Sequence, residues 1–194
     1  MTQRKKIIIT GGGTGGHVFP ALAIAEEMRD RDYRVLYVGT TRGMEAKLVP
    51  EKGFPFFTVN TGSVKNQKAL KVLKTLFQLV GAVGWAIRFL RREKPAAVIG
   101  VGGYVSVPTC VAAFLLRIPV FLQEQNTSVG IANRFLGKLS RKIFLGFDQA
   151  RDYFPSAKCV FTGNPIRKDF YSEALPPYNA SGKCLVILGG SQGA

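Results

Sequence analysis

The single histidine of the chain, His17, follows a run with glycine at five of six positions, Gly11-Gly12-Gly13-Thr14-Gly15-Gly16. Gly11, Gly13 and Gly16 fit the spacing G-x-G-x-x-G, between the apolar segment Ile7-Ile8-Ile9-Thr10 and a helical pattern. There the run makes a tight turn whose backbone N–H groups face an anion, with a helix N-terminus behind them. Strand–helix packing alone does not need so many glycines. An imidazole at the positive end of a helix is expected to be held neutral. Beside a phosphate site such a base can take a proton from a hydroxyl. Capping the helix or touching the phosphate is the other role open to it.

A second loop, Gly100-Val101-Gly102-Gly103-Tyr104-Val105-Ser106, repeats this logic. Two such loops facing one crevice suit a pyrophosphate contacted from two sides. A dinucleotide would instead call for an acid about 20 residues past the first glycine turn, at the end of the second strand. That strand ends in Gly39-Thr40-Thr41-Arg42, which disfavours NAD and leaves NADP through Arg42. Glu124-Gln125-Asn126 offers a carboxylate and two amides suited to hydroxyl recognition. Asn126 could equally cap the next helix. Asn164-Pro165 reads as a turn, and Arg167 beside it could reach a phosphate.

These residues sit at the ends of regularly spaced strands. Apolar runs at 7–10, 34–39, 56–59, 96–100, 119–122, 142–145 and 158–161 alternate with helical patterns at 18–31, 65–92, 105–116 and 128–139. The second helical stretch is expected to break near Gly81 and Gly84, and Pro20 to lie near a first turn. Alternation of this kind means βαβ units: an α/β, doubly wound, Rossmann-like parallel sheet. Ligands of such sheets bind outside the carboxyl ends of the strands, where four loops would converge. Residues 1–170 read as one domain and 171–183 as a linker rich in Pro, Ser, Gly and Asn. Residues 184–194 read as a new strand and glycine turn, ending Gly189-Gly190-Ser191-Gln192-Gly193-Ala194. A phosphate turn works through the helix behind it, so the chain is expected to be the first half of a longer protein.

Lys and Arg number 27 against 12 Asp and Glu, a formal charge of +15, which favours an anionic partner. Cys110, Cys159 and Cys184 are far apart and odd in number, which points to a reducing compartment and away from zinc. One histidine leaves no multi-histidine metal site. The apolar run after Lys6 is too short for a secretory signal. The longest uncharged apolar-rich stretch, 75–87, falls short of the roughly 18 residues of a spanning helix. Residues 65–94 carry a net charge of +7. Lys68, Lys71 and Lys74 crowd one side of the expected helix, with Phe77, Trp85 and Arg88 following. A basic amphipathic helix with aromatics is the pattern of an interfacial membrane helix, although packing on the sheet must claim part of its apolar side. No nucleic-acid-binding motif accompanies the charge.

Taken in order, the first glycine run with Val18-Phe19-Pro20, Gly102-Gly103-Tyr104-Val105-Ser106, Glu124-Gln125-Asn126, Gly163-Asn164-Pro165-Ile166-Arg167 and the final glycine turn resemble the MurG family. These are bacterial N-acetylglucosaminyltransferases of glycosyltransferase family 28, which convert lipid I to lipid II in peptidoglycan synthesis. The resemblance covers nearly the whole chain. It implies a GT-B architecture, two Rossmann-like domains facing a cleft. The N-terminal domain would bind the lipid-linked muramyl pyrophosphate and the anionic inner leaflet, at the cytoplasmic face of the plasma membrane. The C-terminal domain would bind most of UDP-N-acetylglucosamine, and transfer to the muramyl 4-hydroxyl would invert the anomeric centre. By motif match, Thr14, Gly15, Gly16, Asn126, Arg167 and Ser191 contact the donor. Gly13, Thr14, Gly15, Gly16, Gly102, Gly103 and Tyr104 hold the acceptor pyrophosphate. His17 is the candidate base, with Glu124 second, and no cofactor or metal is implied. Gln123 departs from the histidine that many members carry there. Without the uracil and ribose contacts, these 194 residues alone are expected to be inactive. The alternatives are a GT-B diacylglycerol glycosyltransferase, an NADP-dependent oxidoreductase and a non-catalytic membrane-binding module.

Overall fold

The computed structural model describes residues 4–60 and 69–168, with backbone alone over 69–77. The expected linker at 171–183, the expected strand and glycine turn at 184–194 with Ser191, and Lys68 lie outside the described residues. Seven strands form one sheet: β1 Lys6–Gly11, β2 Arg34–Gly39, β3 Phe56–Thr58, β4 Ala97–Gly102, β5 Val120–Glu124, β6 Lys142–Leu145 and β7 Cys159–Phe161. Their order is β3-β2-β1-β4-β5-β6-β7, and every neighbouring pair is parallel. The helices are α1 Gly15–Asp30, α2 Glu45–Glu51, α3 Ala69–Glu93, α4 Ser106–Leu115 and α5 Ile131–Leu139. The chain reverses its direction of winding between β1 and β4, so the two strands that end in glycine loops flank the topological switch point.

The central strands are apolar on both faces because helices cover both. Successive side chains point to opposite sides. Ile8, Leu36, Val98 and Leu122 join Ala86, Phe89 and Leu90 of α3 and Ala112 of α4 in one core. Ile7, Ile9, Val35, Tyr37 and Ile99 meet Val18, Ala21, Leu22 and Ala25 of α1 in the other.

Several boundaries differ from expectation. Helix α1 begins at Gly15, so Gly16 and His17 lie in its first turn and Pro20 is its sixth residue. A proline there cannot donate to the Gly16 carbonyl four residues back. Helix α3 runs unbroken through Gly81 and Gly84. Each glycine costs about 1 kcal/mol against alanine, which burial of Ala82, Ala86, Phe89 and Leu90 outweighs. Helix α5 begins at Ile131, after Gly130, three residues later than the pattern suggests. Strand β5 extends to include Glu124. Helix α2 and the 3-10 turns Asp148–Tyr153 and Ser156–Lys158 have no counterpart in the sequence pattern. They are too short to show a period. Among the described residues, no helix is long and apolar enough to cross a membrane.

Candidate active site

The two glycine loops lie directly against each other. The β1–β4 register shifts between Thr10 and Gly11, bringing Gly11 opposite Gly102. Gly13, Gly102 and Gly103 have φ of 94°, 109° and 78°, in the region that favours glycine. A Cβ on Gly103 would lie 2.8 Å from the Gly12 carbonyl oxygen. One on Gly102 would lie 2.8 Å from Nε2 of His17. The Ser106 hydroxyl donates to the Gly103 carbonyl at 2.8 Å, tying the second loop to the start of α4. Tyr104 is exposed at the rim.

His17 is half-buried, and its Nδ1 pairs with the Thr14 hydroxyl at 3.1 Å. Its pKa is lowered, as expected, but burial is the chief cause rather than the helix terminus. The carboxylates of Glu124 and Glu45 pull it the other way.

Glu124 is buried at the end of β5. Its Oε1 accepts from the Asn126 N–H at 2.9 Å and the Asn126 amide at 3.2 Å, and its Oε2 from the Asn133 amide at 2.9 Å. Asn126 therefore fixes a carboxylate. It does not cap α5, whose N-cap is Gly130. Gln125 donates to the Val101 carbonyl at 2.9 Å, joining the ends of β5 and β4. Asn164 donates to the Gln125 carbonyl at 3.2 Å. The Arg167 guanidinium stands 5.1 Å over the Phe19 ring in α1, and Lys168 pairs with Asp30 and Glu27 of the same helix. The segments that follow β1, β4, β5 and β7 are thus linked into one rim at the carboxyl edge of the sheet, as the sequence suggests. Gln123 is buried in β5.

Two participants escaped sequence reasoning. Asn133 sits in α5, and no spacing ties it to Glu124. Glu45 opens α2, beyond the end of β2 where a dinucleotide site would carry its acid. Its carboxylate is fully buried and accepts from the Gly13 N–H at 2.9 Å. The Gly13 amide is therefore engaged inside the protein, whereas the first-turn amides of Gly15 and Gly16 have no intrahelical acceptor. The Glu45 carboxylate is equally engaged, by the Gly13 N–H and by Thr40, rather than turned toward the ribose of a dinucleotide.

On α3, Lys71, Lys74 and Phe77 fall on the backbone-only stretch. Arg88 is exposed. Trp85 is half-buried, its indole stacked on Phe89 with centroids 5.1 Å apart, so part of the aromatic face expected at a membrane packs on the core. Exposed Phe114 and Leu115 lie with Arg117 and Arg141 around a hollow of about 550 Å³ at the amino edge of the sheet.

Fold and site together define a Rossmann-like α/β domain with two glycine loops meeting at the carboxyl edge of a parallel sheet. Residues 7–145 match the glycosyltransferase family 28 N-terminal domain, and the chain belongs to that family. Within it the chain is MurG-like. It is 43% identical over 192 residues to the UDP-N-acetylglucosamine–N-acetylmuramyl-(pentapeptide) pyrophosphoryl-undecaprenol N-acetylglucosamine transferase of Myxococcus xanthus, covering 97% of this chain and 50% of that protein. The Lactococcus lactis enzyme of the same name is 42% identical over 191 residues, covering 97% and 54%. The chain thus spans about half the length of the curated relatives it matches. The crystal structure of Acinetobacter baumannii MurG superposes with a TM-score of 0.71 at 32% identity, covering 84% of this chain and 46% of that one. The UDP-GlcNAc 2-epimerase of Neisseria meningitidis shares the fold, with a TM-score of 0.59 at 18% identity over 84% of this chain and 46% of that one.

Proposed function

We propose that this chain is the acceptor-side half of an inverting N-acetylglucosaminyltransferase. The whole enzyme moves N-acetylglucosamine from UDP-N-acetylglucosamine to the muramyl 4-hydroxyl of lipid I. The observation that carries this reading is the meeting of both glycine loops at His17. A pyrophosphate held by the Gly15 and Gly16 amides and the Gly102–Gly103 loop brings a nearby sugar hydroxyl within reach of the imidazole.

In the tautomer whose Nδ1–H donates to Thr14, Nε2 offers its lone pair beside Gly102. His17 takes the 4-hydroxyl proton as the oxygen attacks the anomeric carbon from the face opposite UDP. The bond from that carbon to the UDP oxygen breaks, and UDP leaves with the electron pair. Glu124, buried and with both oxygens engaged, favours the imidazolium that forms rather than taking the proton itself. Arg167 and Asn126 face the donor, whose uracil and ribose contacts, with Ser191, belong to the second domain. Holding the reacting groups together supplies much of the rate.

The exposed Arg88, Arg91 and Arg92 of α3 and the apolar rim of Phe114 and Leu115 with Arg117 and Arg141 support attachment to an anionic bilayer surface at its cytoplasmic side. Each such cation contributes about 1 kcal/mol near anionic lipid.

The test joins this chain to the C-terminal half its relatives possess and measures transfer from UDP-N-acetylglucosamine to a soluble lipid I analogue. Transfer that falls at least a hundredfold in His17→Ala supports the reading. Full turnover without the imidazole would remove His17 as the base, and transfer to diacylglycerol in preference to the muramyl acceptor would remove the substrate assignment.

A further inference from the structure

Two charged side chains are buried among the described residues, Glu124 and Glu45. Glu124 belongs to the proposed base. Glu45 lies on the far side of the first glycine loop, where the mechanism above gives it no task. A buried carboxylate is costly unless its oxygens are hydrogen-bonded, and those of Glu45 are well supplied. The Gly13 N–H donates to Oε2 at 2.9 Å. The Thr40 N–H and hydroxyl donate to Oε1 at 3.0 and 2.8 Å.

Three separate glycines make room for this one side chain. A Cβ on Gly39 would lie 2.6 Å from Cγ of Glu45, and a Cβ on Gly12 or Gly43 would overlap the carboxylate itself. Gly13 reaches the carboxylate with φ of 94°, a conformation that turns its amide inward. The glycine run therefore serves two ends. Its first part wraps a protein carboxylate, and its second part opens α1 with amides free for a ligand.

We propose that Glu45 is a positioning residue for the first glycine loop. It draws the Gly13 amide inward and so holds the Gly15 and Gly16 amides and the His17 ring against Gly102 and Gly103. This inference rests on the reading of that loop as a pyrophosphate site. Charge and geometry pull in opposite directions here. Removing a buried negative charge near an anion site strengthens anion binding if charge alone matters. Losing the clamp weakens it. Glu45→Gln keeps the volume but turns an amide N–H toward one of the three donors.

Inorganic pyrophosphate is titrated calorimetrically into the chain and its Glu45→Gln variant, and exchange of the Gly13 amide is followed by NMR on the same samples. The variant, folded by circular dichroism, is expected to exchange Gly13 at least tenfold faster and to bind pyrophosphate at least tenfold more weakly. Equal or tighter binding by a folded variant overturns the proposal while leaving the pyrophosphate site standing. Should Glu45→Gln fail to fold, Thr40→Val keeps the charge and removes one latch. Gly13 exchange several-fold faster in that variant supports the clamp, and unchanged exchange overturns it. If the unsubstituted chain binds no pyrophosphate, the reading of the loop fails. The proposal is then decided by Gly13 exchange alone, faster in the variants or unchanged.

Discussion

The imidazole of His17 occupies the space that a side chain at residue 102 would need: a Cβ on Gly102 would stand 2.8 Å from Nε2. His17 lies in the first turn of α1 and Gly102 ends β4, so the second glycine segment sets the depth to which the ring is buried. That burial is the main reason the pKa of His17 is lowered.

Gly102→Ala is therefore expected to act twice. At φ of 109° a side chain is strained, and the new methyl pushes on the ring. Strain of this kind costs about 1–3 kcal/mol, enough to lower the melting temperature by several degrees in a domain of this size. Transfer by the completed enzyme should fall at least tenfold. A variant that melts and turns over like the original would show that the loops do not press on His17 in solution.

Glu124→Gln separates charge from shape. Glu124 raises the pKa of His17, so its neutralisation lowers that pKa further. The acid limb of the pH–rate profile of the completed enzyme should move to lower pH. The plateau should fall about tenfold to a hundredfold, because the imidazolium loses its counter-charge. A profile with neither change would detach Glu124 from the base.

The half-buried imidazole also makes stability depend on pH. The folded chain holds His17 below its ordinary value of 6.5, so on acidification the unfolded chain takes up this proton first. The stability this residue supplies is complete above the unfolded pKa and is lost as pH falls below it. The melting-temperature difference between the original chain and His17→Gln is thus expected to shrink between about pH 7 and pH 5. A difference that stays constant over that interval would contradict the burial of the ring.

At the opposite edge of the sheet, Arg117→Ala combined with Arg141→Ala tests the bilayer contact. About 1 kcal/mol for each cation predicts roughly a thirtyfold loss of affinity for vesicles containing anionic lipid. Co-sedimentation reads this directly. Undiminished binding would move the contact away from the Phe114–Leu115 rim.

Local patterns carried much of the fold. β2 and β6 match the runs at 34–39 and 142–145 residue for residue, because after an exposed Arg34 or Lys142 a strand packed on both faces must be apolar. The glycine loops were evident because a tight turn before a helix restricts residue type at each position. Their order along the chain was enough to suggest the family.

Other features depend on which distant segments meet. The Gly13–Glu45, Gln125–Val101 and Asn164–Gln125 bonds join residues 32, 24 and 39 positions apart, with no period to announce them. Nothing in the sequence marks Glu45, around which three glycines close in the fold. Trp85 fits a membrane-facing pattern until Phe89 and the sheet take one side of its ring. Residue type and spacing constrain the backbone locally, through sterics and the burial of apolar faces. Which side chain fills a given space, and which charge goes unhydrated, follows from the packing of the sheet and its loops.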